Sequence, residues 1–324
     1  MAFKEYFQMI SNLRTDKNRT RWSEITNYQA PHKPFLLLSV IDHFAQGEIT
    51  ESLIEPSFEL IDTFNSYWSS IMPLGSKGNM AYPFPRLHND GVWKLVPSPN
   101  HKGRINIESI FSMLKLRKVC TAARLNEDLF KLINQPDTRE QLRATIIQTY
   151  FAKEIQSKIL ECGNVNVKAY EYSKALLKEV KDKQRPWDSI DSNERTEKVR
   201  DQGFRKAIVT LYEHRCSLCG IRMLTPEGHT IVDAAHVKPW SESRNDRPTN
   251  GVALCKLCHW SFDEGLMSVG TEYEVLVSRV VNVSQNFPGH ILTLSGRNII
   301  KPDDVRFWPG QENFEWHREK VYCD

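Results

Sequence analysis

Apolar positions along the chain fall into stretches of different period. Phe3, Phe7, Ile10 and Leu13 recur at helical spacing and predict an amphipathic helix over residues 1–14. A polar, basic loop follows through Asn27. The run Phe35-Leu36-Leu37-Leu38-Ser39-Val40-Ile41 then predicts a buried helix, with Pro34 suited to its first position. Phe58, Ile61, Phe64 and Trp68 share one side of a third helix, over 57–69. The pattern breaks over 73–103, which is rich in Pro, Gly, Asn, His and aromatics. That segment reads as short strands and loops, with a turn at Asn89-Asp90-Gly91. Residues 105–180 read as mostly helical, including a long pattern from about Arg139 to Leu160. The charged, low-aromatic stretch from Lys178 to Arg200, with Gln184-Arg185-Pro186-Trp187 inside it, reads as a linker running into a helix before Cys216. Farther on, Ile231–His236 and Gly251–Leu254 read as paired strands and Lys256–Glu264 as a helix, a ββα element. The sum is an α+β chain. It has a mainly helical N-terminal domain with a small β/loop segment over 1–165, a helical connector over 166–200, and a C-terminal ββα domain over 201–324.

Composition narrows the class. The 324 residues are 40% hydrophobic, as in soluble globular proteins, and no apolar run is long enough to cross a bilayer. The start, MAFKEYFQMISNLR, lacks the apolar core of a signal peptide, so a cytoplasmic location is expected. The net charge of +3 is unevenly divided. Residues 1–200 carry 29 Lys+Arg against 24 Asp+Glu, and residues 201–324 carry 14 against 16. Attraction to phosphates follows the basic groups presented, which makes the N-terminal part the better holder of a polyanion. The run Lys102, Arg104, Lys115, Arg117, Lys118 and Arg124 is either a patch of that kind or a solvated helix face.

Seven cysteines are an odd number, and their spacing argues against a disulfide framework. Cys216-x2-Cys219 and Cys255-x2-Cys258 offer four thiolates from two short turns, the ligand set of a tetrahedral structural zinc. Between and beside them stand His236, Asn250 and His259. This stretch resembles the HNH nuclease superfamily, whose fold is the ββα-metal unit. The matching residues are His236 in Asp233-Ala234-Ala235-His236-Val237, Asn250 in Thr249-Asn250-Gly251, and His259 in Cys258-His259-Trp260-Ser261-Phe262-Asp263. The resemblance implies that His236 is the general base that activates water. It also implies that Asn250 holds the loop or orients His236, and that His259 binds a catalytic divalent ion such as Mg or Mn. Phosphodiester hydrolysis needs such parts: an activated nucleophile, and a cation for the charge that develops on phosphate and leaving oxygen. Ala235 stands where many members of the superfamily place an acidic metal ligand, and the nearest carboxylate is Asp233. An offset of three puts Asp233 across a regular strand from His236, so only a bulge would bring it to the metal. Asp263, one turn after His259, is placed to orient that imidazole.

Two N-terminal segments remain: Ala30-Pro31-His32-Lys33-Pro34-Phe35 and Ala81-Tyr82-Pro83-Phe84-Pro85-Arg86. By themselves they read as a helix start and a proline-rich hydrophobic turn. With Asn89-Asp90-Gly91-Val92-Trp93 following, the pair resembles the sulfur-binding domain of phosphorothioate-dependent type IV restriction endonucleases, which join it to a C-terminal HNH domain. The resemblance covers most of 1–160 and 200–320 and extends to Phe314-Glu315-Trp316-His317-Arg318-Glu319. It implies double-stranded, phosphorothioated DNA as partner; one active site per chain makes a homodimer the expected form where both strands are cut. Sulfur is larger and less strongly hydrated than oxygen, so a small apolar cup accepts it and penalises a dehydrated oxygen. Tyr82 and Pro83 are the expected walls of that cup. His32, Lys33 and Arg86 are the expected contacts to neighbouring oxygens, and Gly75-Ser76-Lys77-Gly78-Asn79 is a loop suited to base edges. Two other readings stay open: an HNH nuclease that cages a modified cytosine among Tyr82, Phe84 and Trp93, and a zinc-containing DNA-binding protein without catalysis.

Overall fold

Residues 3–181, 196–282 and 289–324 are described by a computed structural model of the chain. The expected linker segment Gln184–Trp187 lies outside them. By packing, the chain divides into two units, residues 1–167 with 226–229, and residues 168–225 with 230–324.

The first unit is built around one buried helix. Its elements, in order, are α1 (Phe3–Ser11), α2 (His32–Ala45), β1 (Leu53–Ile54), α3 (Phe58–Ile71), α4 (Pro83–Arg86), β2 (Trp93–Pro97), α5 (Met113–Val119), β3 (Cys120–Leu125), α6 (Glu127–Asn134) and α7 (Pro136–Tyr150); α8 (Lys153–Lys181) follows. The apolar run after Pro34 explains why α2 is central. Lys33 through Phe44 are all buried, and α3, α4, α6 and α7 pack around them. Each such Leu, Val or Phe contributes roughly 1.5–3 kcal/mol. α2 starts two residues earlier than Pro34 suggests. Pro34 still falls in the first turn, where the missing N–H has no helical partner to lose.

The Asp42 carboxylate, buried in this core, is fully partnered. Asp42 accepts from Arg143, from Tyr67 Oη at 2.9 Å and from Asn166 Nδ2 at 2.9 Å. Such a network costs little while complete and much when one member is removed. Two expectations change here. The pattern from Arg139 to Leu160 is two helices, because backbone N–H bonding ends at Phe151 and restarts at Lys153. Within 105–180 the strand β3 was hidden among helices; it sits between β1 and β2 in an antiparallel sheet. Its burial alternates except at Ala122-Ala123, which blurred its period.

The second unit contains α9 (Glu197–Leu211), β4 (Val232–His236), α10 (Trp240–Ser243), β5 (Gly251–Cys255), α11 (Lys256–Asp263), β6 (Met267–Val269), β7 (Val275–Val277) and α12 (Gln311–Lys320). β4 and β5 pair antiparallel with unbroken register, from Val232 opposite Cys255 to His236 opposite Gly251. α11 follows β5 directly and packs on both strands. Glycine sets two close approaches. A Cβ on Gly251 would lie 2.4 Å from Ile208 and 2.9 Å from Phe204, so α9 rests directly on β5. A Cβ on Gly203 would lie 2.7 Å from Tyr172, which brings α9 against the last turns of α8.

Candidate functional site

The four thiols of the second unit meet at one point. The Sγ atoms of Cys216, Cys219, Cys255 and Cys258 all lie within 4.8 Å of one another, and those of Cys219 and Cys255 are 3.7 Å apart. A tetrahedron with metal–sulfur bonds of about 2.3 Å has edges of about 3.8 Å, so the cage fits zinc. Mutual hydrogen bonding lowers the Cys219 and Cys255 thiols and raises those of Cys216 and Cys258, so the four share their protons as one group. Among the described residues this is the one such cluster of three or more His, Cys, Asp or Glu.

His236 ends β4 opposite Gly251, at the other end of the ladder from Cys255. Its ring lies flat on Phe204 of α9, with centroids 3.8 Å apart and planes 3° from parallel. Nε2 is 2.8 Å from Asp246 Oδ1. The other oxygen, Oδ2, accepts from Arg200 Nε at 3.0 Å and from Tyr172 Oη at 2.8 Å. Burial pushes the Asp246 carboxyl up, but the hydrogen bonds from His236, Arg200 and Tyr172 outweigh it and hold the group below its ordinary value. Arg200 also lies 3.6 Å over the Trp240 ring, with Arg244 4.0 Å over the same ring.

Asn250 is fully buried. Its Oδ1 accepts from Lys238 N at 2.9 Å. Its Nδ2 donates to Lys238 O at 2.9 Å, to Asn245 O at 2.9 Å and to Ser243 Oγ at 3.4 Å. These bonds tie it to the loop after His236. His259 projects from α11 with Nε2 3.6 Å from Asp263 Oδ2. Burial raises the Asp263 carboxyl despite that imidazole. Asp233 is not brought round. β4 contains no bulge, and Asp233 instead accepts from Arg205 Nε at 2.8 Å.

The N-terminal residues His32, Lys33, Tyr82, Pro83 and Arg86 all line one cleft of about 720 Å³ in the first unit. His32 sits in an aromatic nest, 4.6 Å from the Trp68 ring, 5.4 Å from Trp22 and 6.0 Å from Tyr82. Burial, with Arg21 nearby, pushes His32 down to about 4, so its imidazole is neutral at pH 7. The Lys33 ammonium is already spent, on Asp90 and on Arg14 O at 2.8 Å. Arg86 donates to Tyr82 O at 3.1 Å and lies 5.7 Å over the Tyr82 ring. The cleft's other cations are Arg14, Arg21 and Lys77, all exposed. The Asn79 amide, expected at base edges, is bonded to Phe111 O and Ala81 N.

The cytosine cage is a correction. Phe84 and Trp93 are 0% and 2% exposed and belong to the core, joined by Trp93 Nε1 to Phe84 O. Only Tyr82 of that trio faces solvent. The basic run is also dispersed: Lys102 and Arg104 lie in a loop, Lys115, Arg117 and Lys118 on α5, and Arg124 on β3.

Residues 4–165, half of the chain, match the family described as ScoMcrA-like, DNA sulfur-binding domain. The chain belongs to this family. Residues 216–270 match the HNH endonuclease family, so the sulfur-binding domain is joined to an HNH-type nuclease domain. A search of curated proteins found no match. Three solved structures are similar. One is described as the modification dependent TagI restriction endonuclease, with 21% identity, 40% of each chain covered and a TM-score of 0.28. Another is the sulfur binding domain of SprMcrA complexed with phosphorothioated DNA, with 17% identity, 51% of this chain and 94% of that one, and a TM-score of 0.40. The third is the type IV phosphorothioation-dependent restriction endonuclease ScoMcrA, with 15% identity, 80% and 82% covered, and a TM-score of 0.32. The chain spans 40% of the length of the first.

Sequence reasoning missed Asp246, Arg200, Tyr172 and Phe204 around His236. It also missed Trp22, Trp68 and Arg21 in the cleft. Asp246 stands in Asn245-Asp246-Arg247-Pro248, where Asn and Asp shortly before a proline read as turn formers. Its one signal was its place between His236 and Asn250.

Proposed function

We propose that the chain is a modification-dependent restriction endonuclease that binds phosphorothioated double-stranded DNA in the N-terminal cleft and hydrolyses phosphodiester bonds at the His236 centre. The observation that carries the reading is the state of His236. Its Nε2 is committed to a carboxylate, and its Nδ1 has no hydrogen-bond partner among the described residues, on a side chain 20% exposed. An imidazole so held has one basic lone pair to offer a water molecule.

In this mechanism His236 Nδ1 takes the proton of a water aligned with a backbone phosphate, and the oxygen attacks phosphorus as the P–O bond to the leaving oxygen breaks. A divalent ion such as Mg or Mn, when bound, neutralises charge developing on the phosphate. His259 would hold it, with Asp263 orienting the imidazole and water or phosphate oxygens completing the shell, as is common for Mg. The thiolates Cys216, Cys219, Cys255 and Cys258 would hold zinc for structure alone. Asp233 stays with Arg205 and takes no part. Binding rests on the cleft. The Tyr82 ring and Pro83 present soft, poorly hydrogen-bonding surface to sulfur beside the uncharged His32 ring, and Arg21, Lys77 and Arg86 answer the phosphate charge. Cutting both strands takes two copies of this one centre, hence a homodimer on DNA.

The test is cleavage of matched plasmids, with and without phosphorothioate, in the presence of Mg or Mn. Cleavage of the modified plasmid alone is expected. His236→Ala should abolish it while binding persists. Tight binding without nicking under any divalent ion would favour a zinc-containing DNA-binding protein instead.

A further inference from the structure

The loop between β4 and β5 carries a carboxylate with more partners than loop structure requires. Asn250 already ties that loop at Lys238, Ser243 and Asn245. Asp246, 2% exposed, does something different: it faces His236 with one oxygen and Arg200 and Tyr172 with the other. Arg200 and Tyr172 donate to Oδ2 while His236 Nε2 faces Oδ1, and these contacts hold Asp246 below its ordinary range, as a carboxylate that can only accept. Asp246 is therefore an acceptor toward His236, and the imidazole proton sits on Nε2. The basic lone pair is then on Nδ1, the nitrogen without a partner. Phe204 fixes the plane of the ring, so its remaining freedom is a flip about the Cβ–Cγ bond, which would break the Asp246 contact.

We propose that Asp246 is a positioning residue for the catalytic imidazole, locking His236 as the Nε2–H tautomer, with Arg200 and Tyr172 holding the carboxylate in place. The proposal rests on the reading of His236 as the general base. Asp246 touches neither water nor phosphate in this role; it acts through His236. Replacing the carboxylate by an amide keeps the shape but permits the opposite tautomer, since an amide can donate to Nε2. In the serine protease triad the equivalent change costs about 10⁴-fold, and losing the partner that orients a metal-bound histidine costs about 10–100-fold.

The experiment uses the full chain with 15N-labelled histidine. Two-bond proton–nitrogen correlations of the wild type should show His236 protonated at Nε2; an Nδ1–H signature overturns the proposal and needs no variant. Asp246→Asn should show a mixed or inverted tautomer. It should cleave phosphorothioated plasmid on the order of 10²-fold more slowly or worse, with affinity for the same DNA within about twofold. Zinc content and the unfolding midpoint are measured alongside. A folded Asp246→Asn that cleaves at the wild-type rate overturns the positioning role. If His236→Ala is also active, it is the base assignment that has failed. Should Asp246→Asn not fold, Tyr172→Phe removes one donor and leaves the His236 contact. It should slow cleavage by less than tenfold and retain the Nε2–H signature; loss of that signature overturns the proposal.

Discussion

Acidification should weaken the first unit through His32 in particular. In the folded chain burial holds this imidazole down to about 4; in an unfolded chain it titrates near 6.5. A folded value below the unfolded one means that the unfolded state binds more protons between those limits. Stability is therefore complete above about pH 6.5, falls as pH drops through the window, and levels off below about 4. At pH 5 the linkage relation gives a loss of about 2 kcal/mol relative to pH 7.5. Other groups titrate too, so the measurement is a comparison with His32→Gln, which keeps a polar side chain but cannot titrate. Hydrogen-exchange protection of peptides from α2 and α3, at pH 7.5 and pH 5 and corrected for intrinsic rates, reports the local free energy of opening. The wild type should lose about 2 kcal/mol more protection than the variant. Equal losses, or an NMR titration of His32 with a midpoint near 6.5, would refute the reasoning. The same neutrality predicts affinity for phosphorothioated DNA that changes little between pH 8 and pH 6.

Cys216→Ser or Cys258→Ser should release the metal and unfold the second unit, because structural zinc contributes folding energy directly; elemental analysis of the wild type should find about one zinc per chain. Asn250→Ala removes four hydrogen bonds from a fully buried side chain. It should cost on the order of 3 kcal/mol in denaturant unfolding, with cleavage falling as the loop after His236 loosens. Tyr82→Ala and Pro83→Ala should erode a preference of roughly 10²-fold for thioated over normal duplex. Arg86→Ala and Lys77→Ala should weaken both duplexes together and lower the salt slope by about one each, as fluorescence anisotropy over a salt series would show.

The ββα element was legible almost to the residue. Its strands are short, its second strand is apolar, and the second CxxC marks the junction of β5 and α11. The apolar run after Pro34 likewise announced α2. Less legible were features whose cause lies far along the chain. Nothing local to Asp246 distinguishes it from a turn aspartate; its partners lie on α8 and α9, at Tyr172 and Arg200. Lys33 looked like a free cation because its sequence neighbourhood holds no acid, yet Asp90 reaches it from 57 residues away. Phe84 and Trp93 looked like a cage because aromatics in a proline-rich turn resemble exposed rings, while in the fold they fill the core beneath the turn.

The flat contact between His236 and Phe204 bears on how this nuclease module can be moved between proteins. The family match begins at Cys216, and a graft cut there would carry the thiols, His236, Asn250, His259 and Asp246. It would leave behind Phe204, Arg200 and Tyr172, the ring's backing and the carboxylate's other donors. The transplantable unit therefore begins before Tyr172, some forty residues upstream of the motif that advertises it. A chimera built on motif boundaries would inherit the residues of the proposed centre without the side chains that pack on and hydrogen-bond them.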